Sequence, residues 1–155
     1  MDGGGLMATI TFAHLEAYKD QIGEITKAVP KMINSSLHEG AAVLADAVQA
    51  EIQGLKQLTP EARQGLHDGL GVAHFWQENG STVTKIGWTG YNRKRTKRWP
   101  RGQPNVMIAR TTIRGTSWMR ADRFTNRAVK KCRQKAVNVM ETQFDVELQK
   151  HIKNK

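Results

Sequence analysis

The plainest pattern in the chain is a stripe of apolar residues, Ile33, Leu37, Leu44, Val48, Ile52 and Leu55, at spacings of three, four and seven. This period predicts an amphipathic helix over roughly 30–56, with Pro30 in its first turn. Gly40, Ala41 and Ala47 lie on or beside the stripe, so another element can approach closely. A second stripe runs through Phe124, Ala128, Cys132, Ala136, Val139 or Met140, Phe144, Leu148 and Ile152. It predicts a long helix over about 123–151, capped by Asp122. The first half of its polar side is basic: Arg123, Arg127, Lys130, Lys131, Arg133 and Lys135.

Shorter patterns fill the remainder. In "ATITFAHL" (Ala8–Leu15), Ile10 and Phe12 alternate with Thr9 and Thr11, which predicts a short strand; "LEAYKDQIGEI" follows as a brief helix. Thr59, Pro60 and Glu61 form a helix start, and Gly65, Gly69 and Gly71 keep that helix short. "GVAHFWQENGSTVTKIGW" reads as two strands around Asn79-Gly80, a dipeptide favoured in tight hairpin turns. "PNVMIARTTI" (Pro104–Ile113) predicts a short helix with Val106, Ile108 or Ala109, and Ile113 inward, broken by Arg114–Trp118. The expected fold is α+β, a small antiparallel sheet packed against two long helices, with a long basic loop. Residues 1–7 read as a flexible leader before a second start at Met7, residues 8–152 as one domain, and residues 153–155 as a tail.

Charge changes this picture. Residues 1–80 carry 5 Lys/Arg and 10 Asp/Glu, whereas residues 81–155 carry 19 and 4. A chain of 155 residues with a net charge of +10 thus has two electrostatic faces, suited to nucleic acid or to stacking acidic surface on basic surface. One cysteine, Cys132, excludes an internal disulfide and a multi-cysteine metal site, and points to synthesis in a reducing cytoplasm. No apolar run reaches the length of a membrane span.

The basic residues concentrate in "YNRKRTKRWPRGQPN" (Tyr91–Asn105): six cations, one Trp, two prolines and no acid. Residues 89–104 are expected to form an extended basic arm, of which Arg93–Gln103 is disordered or highly mobile in the free subunit and ordered on assembly. Its candidate contact residues are Arg93, Lys94, Arg95, Lys97, Arg98, Trp99 and Arg101. Aromatics among Lys and Arg stack bases and hold phosphates, and Trp and Arg also anchor protein interfaces. Trp76 and Trp88 fall on predicted strands and in the core, leaving Trp99 and Trp118 for contact.

Catalytic chemistry finds little foothold. His67, Asp68 and His74 lack a further carboxylate at ligand spacing. Cys132 lies on an apolar stripe, the ordinary place for a structural cysteine. No Walker loop, Ser–His–Asp set or paired-carboxylate signature is present. The sequence thus implies no enzyme, no cofactor and no metal.

"LHEGAAVLADAVQAEI", "KIGWTGYN", "PNVMIARTTIRGTSWMRADRFTNRAVKKC" and "METQFDVEL", in this order, resemble a family of tailed-bacteriophage and prophage tail components. Its members are described as neck, tail-completion and head–tail joining proteins. The resemblance runs from Ala8 to Leu148 and is most specific from Asn105 through Gly115-Thr116-Ser117. The family often has a proline just before the aromatic that opens the last helix; Arg120-Ala121-Asp122-Arg123-Phe124 departs from that. The resemblance implies a non-enzymatic virion protein, made in the host bacterial cytoplasm and built into the neck or top of the tail. It also implies a ring of identical subunits, possibly six, contacting neighbouring neck and tail proteins and DNA in the channel, with no membrane partner. The alternative from the residues alone is a small basic DNA- or RNA-binding protein using Arg93–Arg101 and the basic last helix.

Overall fold

A computed structural model describes the backbone of residues 4–153 and the side chains of residues 16–152. The expected α+β class holds, with four helices and two small antiparallel ladders. Helix α1 spans Gly4–Gln53, α2 Pro60–Gly69, α3 Asn105–Arg114 and α4 Phe124–Lys153. The strands are β1 (Leu70–Val72), β2 (Trp76–Glu78), β3 (Ser81–Val83) and β4 (Ile86–Trp88). The leader expected over residues 1–7 and the tail over residues 153–155 lie partly outside the described residues; Gly4–Met7 and Lys153 are helical.

Helix α1 corrects three expectations. Ala8–Leu15 is helical rather than a strand, the brief helix after it is not separate, and Pro30 lies inside the helix rather than in its first turn. A strand needs a neighbour for its N–H and C=O groups, and the four described strands pair only with one another. A helix satisfies the same groups locally. Pro30 is exposed, so its ring and the Thr26 carbonyl it leaves without a donor fall on the solvated face. The apolar stripe passes through unbroken: Ile25 and Val29 are half-buried, and Met32, Ser36, Gly40 and Ala41 are buried. At 50 residues, α1 is about 75 Å long.

Helix α4 packs antiparallel along the second half of α1. The largest buried cluster lies where this hairpin of helices meets α2 and α3. It joins Val48, Ile52 and Leu55 of α1, Ala62 and Leu66 of α2, Ile108 and Ala109 of α3, and Phe124 and Ala128 of α4. Phe124 is completely buried, with its ring centroid 5.9 Å from that of Trp88 at 64°, an edge-to-face contact. The Trp88 indole N–H donates to the Leu66 carbonyl at 3.0 Å. On α3, Val106 is exposed rather than inward, and Asn105, Ile108, Ala109 and Thr112 are buried.

Thr59 caps α2 as expected, its Oγ1 accepting from the Ala62 N–H at 3.3 Å, with Pro60 at the first position. Asp122 does not cap α4. The first helical bond runs from Arg127 N–H to the Arg123 carbonyl. The Asp122 carboxylate accepts instead from Arg127 Nη1 at 2.6 Å and from Gln57 Nε2 at 3.2 Å, tying the start of α4 to the end of α1.

The hairpin turns at Asn79-Gly80, whose φ values of 50° and 76° are those of the tight turn this dipeptide favours. It divides into two ladders because its register steps by one residue. Val72 pairs with Ile86 and Trp76 with Val83, so residues 73–75 oppose only residues 84–85. The extra residue is a β-bulge. It is held by Ala73 N–H donating to the Lys85 carbonyl and Thr84 Oγ1 donating to the Ala73 carbonyl, both at 2.7 Å. The single expected sheet is thus one hairpin split in two.

Candidate interaction surface

Two loops meet at the end of the body away from the free end of the long helices. The first, residues 91–104, carries the cations picked out from the sequence. It is not an extended arm. Tyr91 bridges Pro104, Asn92 N–H donates to the Gln103 carbonyl, and Gln103 N–H returns a bond to Asn92 Oδ1, both at 2.9 Å. Inside this neck, Thr96 and Trp99 exchange backbone N–H···O bonds at 3.0 Å, and Gly102 N–H donates to the Trp99 carbonyl. The result is a closed Ω-type loop. Gly102, at φ 93°, sits against the Asn92 carbonyl with no room for a Cβ.

The base of this loop is clamped by Asn105, buried to 2% exposure. Its amide Nδ2 donates to the Thr89 carbonyl at 2.9 Å, and its N–H donates to the Gly90 carbonyl at 3.0 Å. Gly65 and Gly69 of α2 lie so close that a Cβ on either would collide with the Asn105 side chain. Asn105 Oδ1 has no hydrogen-bond partner, consistent with its packing against the bare Gly65 backbone. One side chain therefore joins α2, the end of the hairpin, the loop neck and the start of α3.

Arg93, Lys94, Arg95, Lys97, Arg98 and Arg101 are all exposed, and none is paired with a carboxylate among the described residues. Trp99 differs. It is half-buried and lines a hollow of about 380 Å³ with Leu58, Ala62, Ile108 and Met119, while Arg98 lies over its ring at 5.8 Å. The structure thus gives Trp99 a packing role within its own chain.

Of the second loop, residues 115–123, the sequence singled out only Trp118 as left for contact. Met119 shares the Trp99 hollow, so the two loops are neighbours. Its neighbour Trp118 is 93% exposed, the most exposed large apolar side chain among the described residues. The loop beneath it is fixed. Thr116 N–H donates to the Met119 carbonyl at 2.8 Å, and Thr116 Oγ1 accepts from the N–H groups of Trp118 and Met119. The signal in the sequence is "GTSW", Gly, Thr and Ser before an aromatic in a short break between helices, residues that form turns. Arg114, Arg120 and Arg123 around it are exposed and unpaired among the described residues.

Not every cation is free. Glu51, its side chain only 11% exposed, accepts from Lys131 and Arg127, and these donors hold its carboxyl below the usual range. Arg127 likewise lowers Asp122. These pairs lock α1 to α4. His67 is hydrogen-bonded to neighbouring Asp68, and among the described residues no three His, Cys, Asp or Glu side chains gather as a metal site.

Residues 54–135 thus carry 18 Lys/Arg against 4 Asp/Glu, whereas the rest of the chain, mostly the two long helices, carries 6 against 10, with Glu39, Asp46, Glu141 and Asp145 in no ion pair among the described residues. Comparison with known proteins found no matching family model, no matching curated protein and no matching solved structure.

Proposed function

We propose that this chain is a non-enzymatic structural subunit of a tailed phage or prophage virion. It would act at the neck or top of the tail, assembling with copies of itself into a ring and joining neighbouring virion proteins. The observation that carries the reading is the exposed, hydrogen-bonded Trp118 loop beside a closed basic loop, on a chain whose remaining residues carry more acids than bases. A buried aromatic anchor within a charged rim is how protein interfaces concentrate their affinity. The stretch most specific to the resemblance, Asn105 through Gly115-Thr116-Ser117, begins at the residue that clamps the first loop and ends in the second, which supports reading the loops as the working face. Electron microscopy and native mass spectrometry of the purified protein provide the test. Closed rings are expected; a strictly monomeric protein whose loss leaves heads and tails normally joined would sink the proposal.

The unpaired arginines favour one second reading, a nucleic-acid-binding protein. It requires duplex or single-stranded DNA to bind the isolated chain with an affinity that falls steeply as salt rises.

A further inference from the structure

A second feature of the surface has no partner within the subunit. Between α1, α4 and the hairpin runs an apolar trough of about 430 Å³, lined by Leu37, Leu44, Ile86, Val129, Ala136 and Met140. At Leu37 and Met140 it runs into a further hollow against Phe144, edged by Glu141 and Asp145. Both acids are exposed and neither is in an ion pair among the described residues.

We infer that this trough receives the Trp118 loop of a second copy of the chain. The two surfaces complement each other in three respects. First, one is an exposed indole and the other an apolar concavity. Cavities of about 150 Å³ accept a benzene ring, so the trough has room for an indole. Second, opposite charges meet at the rim: Arg114, Arg120 and Arg123 flank the indole, and Glu141 and Asp145 edge the hollow that continues the trough, with Arg133 lining the trough beyond them. Third, the loop is already ordered by the Thr116 bonds, so docking orders little further backbone. Knob and trough are different surfaces of one chain, so the contact is heterologous. Each copy offers a loop to one neighbour and a trough to another, which builds a ring or a filament.

This inference rests on the self-assembly part of the proposed function, and mixing variants separates the two. Trp118→Ala removes the knob without touching the core. Ala136→Phe fills the trough, with circular dichroism confirming its fold. Sedimentation of the wild-type chain is expected to show assembly that weakens by about 30-fold or more in either variant, the scale of a buried aromatic anchor. Mixed together, the two variants should form a one-to-one dimer and nothing larger, because one intact knob meets one intact trough. Reversing the trough edge with Glu141→Arg and Asp145→Arg should weaken assembly, and Arg120→Glu should restore part of it. Wild-type protein that stays monomeric would overturn the self-assembly reading itself. Wild-type protein that assembles, with Trp118→Ala assembling equally well, would overturn only the docking assigned here. Loss of DNA binding in Trp118→Ala with assembly unchanged would also overturn it.

Discussion

Replacing Phe124 with Ala tests whether the core has been placed correctly. The ring is completely buried between α1, α2 and α3, at the junction on which both loops depend. Its removal takes away an aromatic side chain and leaves a cavity that surrounding helices cannot fully close, at a cost of about 3–5 kcal/mol. Roughly 0.5–1.5 kcal/mol of that belongs to the edge-to-face contact with Trp88. Against a total stability of about 5–15 kcal/mol, the loss is severe. At about 2–4 °C per kcal/mol for a chain of this size, the melting temperature should fall by roughly 6–20 °C. The assay is urea unfolding followed by far-UV circular dichroism, at concentrations low enough that assembly does not contribute. Trp118→Ala is the internal control. It truncates a larger aromatic, yet the residue is 93% exposed, so stability should change by no more than about 0.5 kcal/mol. A loss under about 1 kcal/mol for Phe124→Ala, or equal losses for the two variants, would refute the packing described.

Three further outcomes follow from the same geometry. Glu51 titrates below the usual range, so the stability it contributes is present above roughly pH 4 and is lost as pH falls through its lowered value. Glu51→Gln should therefore cost about 1 kcal/mol at neutral pH, discounted for the exposure of Lys131 and Arg127, and should flatten the fall in urea midpoint between pH 6 and 3. Gly102→Ala, which forces a Cβ onto the Asn92 carbonyl at a positive φ, should open the neck of the basic loop; hydrogen exchange at Thr96, Trp99 and Gly102 reads this directly, and unchanged protection would argue against the closed loop. Neutralising Arg93, Lys94, Arg95, Lys97 and Arg98 together should leave the melting temperature nearly unchanged, because none has a carboxylate partner among the described residues; if the chain binds DNA through them, the same change should flatten the salt dependence measured by fluorescence anisotropy.

Local chemistry made much of the fold legible. The Asn79-Gly80 turn, the Thr59-Pro60 start of α2 and the two long apolar stripes each rest on residues within a few positions of one another, and each stands where its pattern put it. The failures arose where neighbours in space decide. Alternation over Thr9 to Phe12 is too short to separate strand from helix. Pro30 signals a helix start only when the apolar stripe stops before it, and Ile25 and Val29 carry the stripe past it. Charge counting found the basic loop but could not tell its two candidate aromatics apart. Trp99 and Trp118 look alike in sequence, each beside arginines in an irregular stretch. The hollow formed with Leu58 and Ile108, far off in sequence, takes in Trp99 and leaves Trp118 outside.

The Asn105 clamp has a consequence for how this molecule can vary. It ties the loop base to Thr89 and Gly90, and just above it Asn92 and Gln103 hold each other through bonds that do not involve the loop tip, so the tip contributes little to holding the ends together. Closing a flexible loop grows only logarithmically more costly with length, so doubling the segment between the clamp points adds about 0.6 kcal/mol. Residues 93–95, between the neck and the Thr96–Trp99 turn, are therefore the part of the loop open to exchange. Their length and charge can drift, or be redesigned to suit a different neighbour, while α2, α3 and the hairpin below keep the same shape.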